Sequence, residues 1–373
     1  MESKRRRIDE NAVLKSFECL ACGNVVTFSS ECDLLARMGS LEVRLGQGSV
    51  VMVQFPDYYP GQLIDDRWIT EKALGSGGFG AVYLVKDKQN PGEDVKYALK
   101  TEFANQSRNL KQEVYVLVLA TLHNRKHFCR YIHAGSTEKA GERCFYLVMT
   151  LIGDTLEKKH RMAGRMTLGC ALSVGMQCLT AIEEIHSIGF LHRDVKPENF
   201  AVSKENEKLI IIFDFGLCRQ YLDDKGRIRL PRPIVGFRGT VRYAPLSSHV
   251  RRDPSRKCDL ETWFYQQVEF TKGCLPWRQT EKKDEIGMFK ERCRFGVGLD
   301  IFLGGCPRQY IEILRYIDQL GYYDEPDYNK IHNLLRMVMK VHNVSETYDW
   351  LEKAKSAEKE KPQPANGGGL PPV

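Results

Sequence analysis

The sequence lacks any apolar run that approaches the ~20 residues needed for a bilayer-spanning helix. Its strongest run, Ile210–Phe213, is long enough only for a strand. The first residues also lack the apolar core of a secretory signal. We therefore expect a cytoplasmic protein without a membrane partner, whose 12 cysteines are reduced thiols rather than a disulfide framework.

Histidine is absent before His123, and this absence bears on three cysteines near the start of the chain. Cys19 and Cys22 have the spacing of half a zinc site, and Cys32 follows them. A closed structural zinc site needs four ligands, so ordinary thiols are favoured over a metal site. A protein that acts through interactions of this cysteine-containing segment stays open as an alternative, and zinc content would distinguish it.

The chain carries a modest excess of positive charge, with a net charge of +7. This excess by itself does not identify a binding partner. Four consecutive basic residues, Lys4–Arg7, fit either a nuclear address or a solvated terminus. Nothing resembles a module that reads DNA or RNA, so no nucleic-acid partner is expected. We predict that residues 1–64 form a partly disordered N-terminal extension and residues 351–373 a disordered tail.

Residues 65–350 show strand patterns followed by helical periods. Strands are predicted at 68–74, 81–86, 95–100 and 145–149, and helices at 109–121, from 168 to about 189, and around 259–271, 308–320 and 330–342. This order predicts an α+β fold with two lobes. The N-lobe would be small and β-rich with one main helix, and the C-lobe larger and mainly α-helical.

A glycine-rich pattern, G-x-G-x-x-G-x-V, lies across the first two predicted strands. Its members are Gly75, Ser76, Gly77, Gly78, Phe79, Gly80 and Val82. Glycines let backbone amides approach phosphates without Cβ clashes. A dinucleotide-binding fingerprint would continue directly into a helix, whereas this chain continues as a strand. The pattern therefore favours a loop between two strands that covers the phosphates of a nucleotide.

The third strand carries Tyr97-Ala98-Leu99-Lys100, a variant of the motif V-A-I-K. Lys100, with Ala98 beside it, would contact the α- and β-phosphates of ATP. Its expected ion-pair partner is Glu113 on the following helix. Each charged residue alone would more often be a solvated surface residue, so the assignment depends on the other motifs.

Two further motifs complete a phosphoryl-transfer set in the correct order. The string H-R-D-x-x-x-x-N spans His192–Asn199, and D-F-G spans Asp214–Gly216 after an apolar strand. Asp194 would orient a substrate hydroxyl and accept its proton. Asn199 and Asp214 would bind Mg²⁺. Phosphoryl transfer depends chiefly on positioning and electrostatic stabilisation, which these residues would provide.

At these residues the chain resembles the protein kinase fold, and more narrowly the casein kinase I superfamily, nearest its tau-tubulin kinase branch. The specific marks are His192–Phe200, Gly236–Ala244 and Leu275–Trp277, and the resemblance covers about residues 65–350. It implies a serine/threonine kinase that uses ATP and Mg²⁺ and acts on proteins, cytoskeletal proteins among them, while a monomer is expected only by default. A pseudokinase that binds ATP or partners without turnover is the alternative, and the intact motifs argue against it.

The same resemblance implies roles for further residues. Lys196 matches a lysine that contacts the transferring phosphate, and Asp259 one that anchors the catalytic loop. Met149 would be the gatekeeper of the ATP site, followed by the adenine-facing hinge residues Thr150, Leu151 and Ile152. The motif A-P-E of most kinases is replaced by Ala244–Leu246, which affects local substrate docking rather than the chemistry.

The segment between Asp214 and Thr240 contains no serine or threonine, and Tyr221 is its only hydroxyl side chain. A switch that orders this segment through phosphoserine or phosphothreonine therefore has no acceptor here. The segment is rich in arginine, which suits bidentate contacts with anions. We predict a substrate anion site at Arg238 and Arg242 and a preference for acidic or already phosphorylated peptides.

Overall fold

The computed structural model describes residues 57–77, 80–92, 95–104, 108–139 and 141–352, and two short strands near the start, β1 (Phe17–Glu18) and β2 (Val25–Val26). The basic cluster Lys4–Arg7, the three N-terminal cysteines and residues 353–373 lie outside the described residues. The metal question at these cysteines, the nuclear address and the disorder of both ends therefore stay predictions.

The N-lobe contains a six-stranded antiparallel sheet with the strand order β3-β4-β5-β6-β8-β7. Its strands are β3 (Leu63–Ile64), β4 (Trp68–Gly77), β5 (Gly80–Asp87), β6 (Lys96–Phe103), β7 (Tyr131–Lys139) and β8 (Glu142–Thr150). The four strands predicted in this region correspond to β4, β5, β6 and β8. The sheet begins at β3, inside the segment that we predicted as an N-terminal extension.

Alternation along β6 directs one lysine toward the interior of the molecule. Leu99 is buried in a small cluster on the outer face of the sheet with Trp68 and Tyr146, whereas Ala98 belongs to the main core beneath the sheet. Successive side chains of a strand point to opposite faces, so Lys100 shares the inner face with Ala98.

One helix, α1 (Arg108–Leu122), packs beneath this sheet. Leu110, Val114 and Leu117 recur at helical spacing and are buried. Glu113 precedes Val114 on the buried side and is only 2% exposed. A carboxylate is almost never buried this deeply without a partner, so its position requires a cation from the sheet.

The C-lobe is mainly helical. Its helices are α2 (Leu156–Ala163), α3 (Leu168–Ser187), α4 (Leu246–His249), α5 (Arg256–Lys272), α6 (Lys283–Arg292), α7 (Gly296–Leu303), α8 (Gln309–Gln319) and α9 (Tyr328–Val341). The predicted helices correspond to α3, α5, α8 and α9, while α2, α4, α6 and α7 were not predicted. The α+β class and the two-lobed architecture are confirmed.

The centre of the C-lobe is the crossing of α3 and α5. The indole of Trp263 donates to Gly175 O at 2.9 Å. A Cβ at Gly175 would lie 1.7 Å from the side-chain oxygen of Gln267, so a larger residue would displace that side chain, whose Nε2 donates to Ala171 O. Helix α3 is long and apolar enough to cross a membrane, but two-thirds of it is buried inside the structure, as in the core helix of a globular fold.

Five short strands bracket the loops that carry the remaining motifs. They are β9 (Ile152–Thr155), β10 (Phe190–Leu191), β11 (Phe200–Ser203), β12 (Ile210–Ile212) and β13 (Arg219–Gln220). Antiparallel pairing gives one sheet with the order β12-β11-β9 and a second pair, β10-β13. The loops 192–199 and 213–218 are therefore held at both ends beside each other.

Candidate active site

Lys100 is the cation that Glu113 requires. Its Nζ lies 2.6 Å from Glu113 Oε2 and 3.5 Å from Asp214 Oδ1. The three residues come from β6, from α1 and from the loop after β12. Residues separated by more than 100 positions in the chain thus converge on one ammonium group. The structure brings together the three groups that the sequence motifs predicted to meet.

Opposing effects set the charge of this cluster. Burial by itself lowers the pKa of Lys100, but the negative charges of Glu113 and Asp214 outweigh it and leave the pKa raised. Burial likewise would raise the pKa of Asp214, but the charge of Lys100 reverses the effect and the pKa is lowered. Lys100 is therefore a cation and Asp214 an anion at neutral pH.

A third carboxylate, Glu102, lies close to this cluster. It follows Lys100 by two residues on β6 and is 1% exposed. Its Oε2 accepts a hydrogen bond from Leu110 N in the first turn of α1 at 3.2 Å. Burial raises the pKa of Glu102 to about 7, an effect that Lys100 opposes and Glu113 reinforces. Sequence reasoning missed this residue, because only the folded sheet shows how deeply it is buried.

Asp194 is held by four donors. Oδ2 lies 2.8 Å from Lys196 Nζ and 3.2 Å from Asn199 Nδ2. Oδ1 accepts from both the amide and the hydroxyl of Thr240, at 2.8 and 2.9 Å. Lys196 also donates to the Thr240 hydroxyl at 3.1 Å. The three predicted catalytic residues therefore form one network, and Thr240, which was not among the predicted site residues, belongs to it.

A buried carboxylate fixes the backbone of this loop. Asp259, at the start of α5, accepts from His192 N at 2.7 Å and from Arg193 N at 2.9 Å. It also accepts from the imidazole Nε2 of His186 at 2.9 Å. Burial by itself would raise the pKa of Asp259, but the bond from His186 outweighs it and the pKa is lowered. Asp259 thus occupies the anchoring position that the resemblance implied.

His186 connects this anchor to helix α9. Burial lowers its pKa, although Asp259 opposes the shift, so the imidazole is neutral at pH 7. A neutral ring that donates from Nε2 to Asp259 accepts at Nδ1, which explains the hydroxyl of Tyr328 at 2.6 Å. Nothing in the local sequence marks this pair, because α9 and α3 are 142 positions apart here.

The D-F-G turn adopts the geometry that delivers its aspartate to the cleft. Asp214 has a left-handed backbone with φ 64°. Phe215 is fully buried and stacks on Phe128, with ring centroids 5.2 Å apart. His192 meets Phe215 edge to face and its Nε2 lies 3.2 Å from Phe213 O. With the phenyl ring inward, 47% of the Asp214 side chain remains exposed.

The glycine-rich pattern lies at the tips of β4 and β5. Gly75 is opposite Val82, Ser76 is opposite Ala81, and Gly77 is opposite Gly80. Gly78 and Phe79 lie outside the described residues. The chain continues as a strand after the glycines, as the sequence predicted, so the loop is not the entry to a helix.

The predicted nucleotide pocket continues along β8. Met149, at the gatekeeper position, is opposite Ala98 on the neighbouring strand β6, and Thr150 is opposite Tyr97. The amide of Thr150 donates to Arg130 O at 3.1 Å. Leu151 joins β8 to β9, and Ile152 begins β9. The hinge thus links the two lobes beside the glycine-rich hairpin.

The oxygen atoms at the cleft suit a hard divalent cation. The side-chain nitrogen of Asn199 donates a hydrogen bond to the backbone oxygen of Asp194 at 2.8 Å. The side-chain oxygen of Asn199, Oδ1, is therefore the atom suited to a metal. Phe213 N donates to Asn199 O at 3.0 Å and thereby ties the strand of Asp214 to this loop. An amide oxygen and an exposed carboxylate fit Mg²⁺ bound together with phosphate oxygens.

A basic cavity of about 620 Å³ lies between α1 and the segment that follows Asp214. Six arginines line it: Arg193, Arg219, Arg229, Arg232, Arg238 and Arg252. Asp253 pairs with Arg219 and Arg232 at 2.5 and 2.8 Å. Among the described residues, Arg238 and Arg252 are exposed and have no carboxylate within ion-pair distance.

Of the two arginines predicted to form an anion site, one is found in the lining of this cavity. Arg238 lines the cavity, but Arg242 does not. The guanidinium of Arg242 lies 6.0 Å from the ring of Tyr243. Arg252 was not predicted, because it follows the segment in sequence and only the turn at α4 returns it to the cavity.

Comparisons with known proteins agree with this geometry. The protein kinase domain matches residues 68–292. A probable serine/threonine-protein kinase of Dictyostelium discoideum is 33% identical over 296 residues, which cover 78% of this chain and 57% of that protein. The serine/threonine-protein kinase spe-6 of Caenorhabditis elegans is 33% identical over 297 residues, 78% of this chain and 76% of that protein. A putative serine/threonine-protein kinase of the same nematode is 32% identical over 315 residues, 83% of this chain and 87% of that protein. The chain thus spans little more than half the length of the Dictyostelium relative.

Proposed function

This chain belongs to the protein kinase family, and we propose that it transfers the γ-phosphate of ATP to serine or threonine hydroxyls of proteins. The observation that carries the proposal is the convergence of Lys100 on Glu113 and Asp214 at 2.6 and 3.5 Å. Asp194 stands on the adjoining loop with both carboxylate oxygens already oriented.

Each residue contributes positioning or charge rather than covalent chemistry. Lys100 would neutralise the α- and β-phosphates, and Glu113 holds the ammonium in place. Asp194 would orient the acceptor hydroxyl and receive its proton, while Lys196 would stabilise charge on the transferring phosphate. Asp214 and Asn199 would hold Mg²⁺, which when bound neutralises phosphate oxygens.

The decisive experiment compares the wild type with Asp194→Asn. The amide cannot accept the hydroxyl proton, so phosphate transfer to casein should fall by at least about 100-fold while ATP affinity is retained. Asp224→Asn is a matched control, because that side chain is 93% exposed on the same segment of the C-lobe. Wild-type protein that binds ATP but transfers no phosphate to any protein would instead establish the pseudokinase alternative.

We further propose that the enzyme prefers acidic or already phosphorylated sites. The support is the cavity where Arg238 and Arg252 have no carboxylate partner among the described residues. A phosphate group is the natural counter-ion for such a pair of guanidiniums.

Peptides that differ only in one phosphoserine upstream of the acceptor test this preference. Wild-type kcat/KM should favour the phosphopeptide, and the double variant Arg238→Ala, Arg252→Ala should lose the ratio between the two peptides. Arg161→Ala on α2, 71% exposed, is the control. Equal rates for both peptides, or a preference for basic peptides, would contradict the proposal.

The assignment of the chain to a particular superfamily of protein kinases is also a proposal. Gly236–Ala244 and Leu275–Trp277 support membership of the casein kinase I superfamily near its tau-tubulin kinase branch. On that resemblance we propose cytoskeletal substrates. Independently of it, we propose a monomer and a cytoplasmic location, with Lys4–Arg7 as a nuclear address. Phosphorylation of tau and tubulin beside casein tests the substrate class, and the location of the tagged full chain tests the rest.

A further inference from the structure

Lys290 on α6 is fully buried, which is unusual for a lysine. Its Nζ donates to Val241 O at 2.9 Å and to Ala244 O at 2.6 Å. The rings of Tyr265 and Trp277 flank the ammonium at 5.0 and 5.5 Å. The residue was not singled out by any sequence motif.

No carboxylate lies within ion-pair distance of Lys290 among the residues that the structure describes. The acid whose charge acts on it is Glu261, which is already paired with Arg294 at 2.8 Å. Burial therefore lowers the pKa of Lys290 to about 7, although Glu261 opposes the shift. A buried lysine without a counter-ion is costly, so general stability does not explain its position.

The two carbonyls that Lys290 binds belong to one short turn, residues 240–244, which we name the docking turn. Within it the amides of Tyr243 and Ala244 both donate to Thr240 O, at 2.9 and 2.8 Å. Trp277 Nε1 donates to Arg242 O at 2.8 Å. Three of the turn's backbone oxygens are thus held by side chains from the helical lobe.

The docking turn connects directly to the catalytic carboxylate. Its first residue, Thr240, donates twice to Asp194 Oδ1. A substrate hydroxyl that reaches Asp194 would therefore lie beside this turn. A displacement of the turn would misplace both the substrate chain and the bonds to Asp194, and small misplacements are costly in catalysis.

We propose that Lys290 is a positioning residue that clamps the docking turn in the conformation that receives the protein substrate. The inference rests on the proposed kinase function, since it concerns the same substrate. Both charge states of the amine keep two N–H donors, so both carbonyls can be satisfied above and below neutral pH. In the ammonium form the third donor can reach His249 Nε2, which lies 3.5 Å away.

The test uses the full chain with Lys290→Met, which preserves length and burial but removes all donors. Lys282→Met is the matched control, because that exposed lysine directly precedes the same helix. Two readouts are needed: hydrogen exchange of the amides of residues 240–246 without substrate, and steady-state kinetics with peptide and ATP varied separately.

For Lys290→Met we expect faster exchange across residues 240–246 and a fall of about tenfold or more in kcat/KM for the peptide. Affinity for ATP should stay within about twofold, since Lys290 touches none of the residues around Lys100. Unchanged exchange and unchanged peptide kinetics would overturn the proposal. So would a parallel loss of peptide turnover, ATP affinity and melting temperature, which indicates a merely structural role.

If Lys290→Met fails to fold, the same measurements are made on Lys290→Gln, whose side chain is one bond shorter and cannot donate to both Val241 O and Ala244 O as the lysine does. The exchange measurement also separates this proposal from the kinase assignment. An inactive wild type would refute the assignment, yet a mobile turn in Lys290→Met would still show that the clamp exists.

Discussion

Thr240 donates two hydrogen bonds to a single carboxylate oxygen of Asp194, one from its amide at 2.8 Å and one from its hydroxyl at 2.9 Å. The other oxygen is occupied by Lys196 and Asn199. Asp194 is therefore oriented before any substrate binds. Groups that are oriented in advance need no reorganisation during the reaction.

The hydroxyl bond can be removed while the amide bond is kept. Thr240→Val should lower kcat about tenfold, because a hydrogen bond to a charged group is typically worth about 1.5–3 kcal/mol. Thr240→Ser keeps the hydroxyl and should remain near wild-type activity. Steady-state kinetics at saturating ATP provide the measurement. Equal kcat values for the two variants would show that the amide alone orients Asp194.

Glu102 should make stability depend on pH. Its folded pKa of about 7 lies above the ordinary value of 4.5, so the folded chain keeps a proton that the unfolded chain releases. Stability contributed by this group is therefore present below pH 4.5, falls as pH rises toward 7, and is constant above that. The size of the change is on the order of 3 kcal/mol.

Urea unfolding of Glu102→Gln at pH 5 and pH 8 measures this effect. Relative to wild type, the variant should gain free energy of unfolding between the two pH values, because glutamine has no charge to bury. Glu285→Gln removes a half-exposed carboxylate on α6 and should show no such gain. A constant difference between wild type and Glu102→Gln at both pH values would exclude Glu102 as the titrating group.

Asp259 should be as important for stability as for activity. Asp259→Asn turns one acceptor oxygen into a donor, which must face the amide of either His192 or Arg193, since these amides donate to different oxygens of Asp259. We expect a loss of about 3 kcal/mol in the free energy of unfolding, because a buried carboxylate network is broken. Phosphate transfer should fall as well, since the loop that bears Asp194 loses its anchor. Denaturation by urea and peptide assays on the folded variant check both effects.

Activity should not require phosphorylation of the segment between Asp214 and Thr240. That segment has no serine or threonine, and its single hydroxyl, on Tyr221, is 8% exposed and donates to His186 O at 2.9 Å. Protein co-expressed with a phosphatase, and Tyr221→Phe, should both retain turnover. Complete loss of activity after dephosphorylation would contradict this expectation.

The elements that the sequence predicted share a local signature. Trp68–Gly77 and Gly80–Asp87 show strand alternation interrupted by glycines, and Arg108–Leu122 shows a clear helical period. Helix α6 was missed because its pattern is mixed, and its one fully buried polar residue, Lys290, resembles a surface lysine when read alone. That Arg238 lines the basic cavity together with Arg252 was likewise not readable from spacing, because spacing does not show which way an arginine points.

The sequence by itself determined the motifs, their order and therefore the family, because phosphate binding, metal binding and proton transfer each require particular residue types at close spacing. Only the tertiary structure decided which distant residues support them: Thr240 on Asp194, His186 on Asp259, and Lys290 on the docking turn. These partners lie between 46 and 73 positions apart in the chain, and their hydrogen bonds follow from packing rather than from local pattern. Burial sets the strength of these hydrogen bonds, and the side chains become buried only when the two lobes fold.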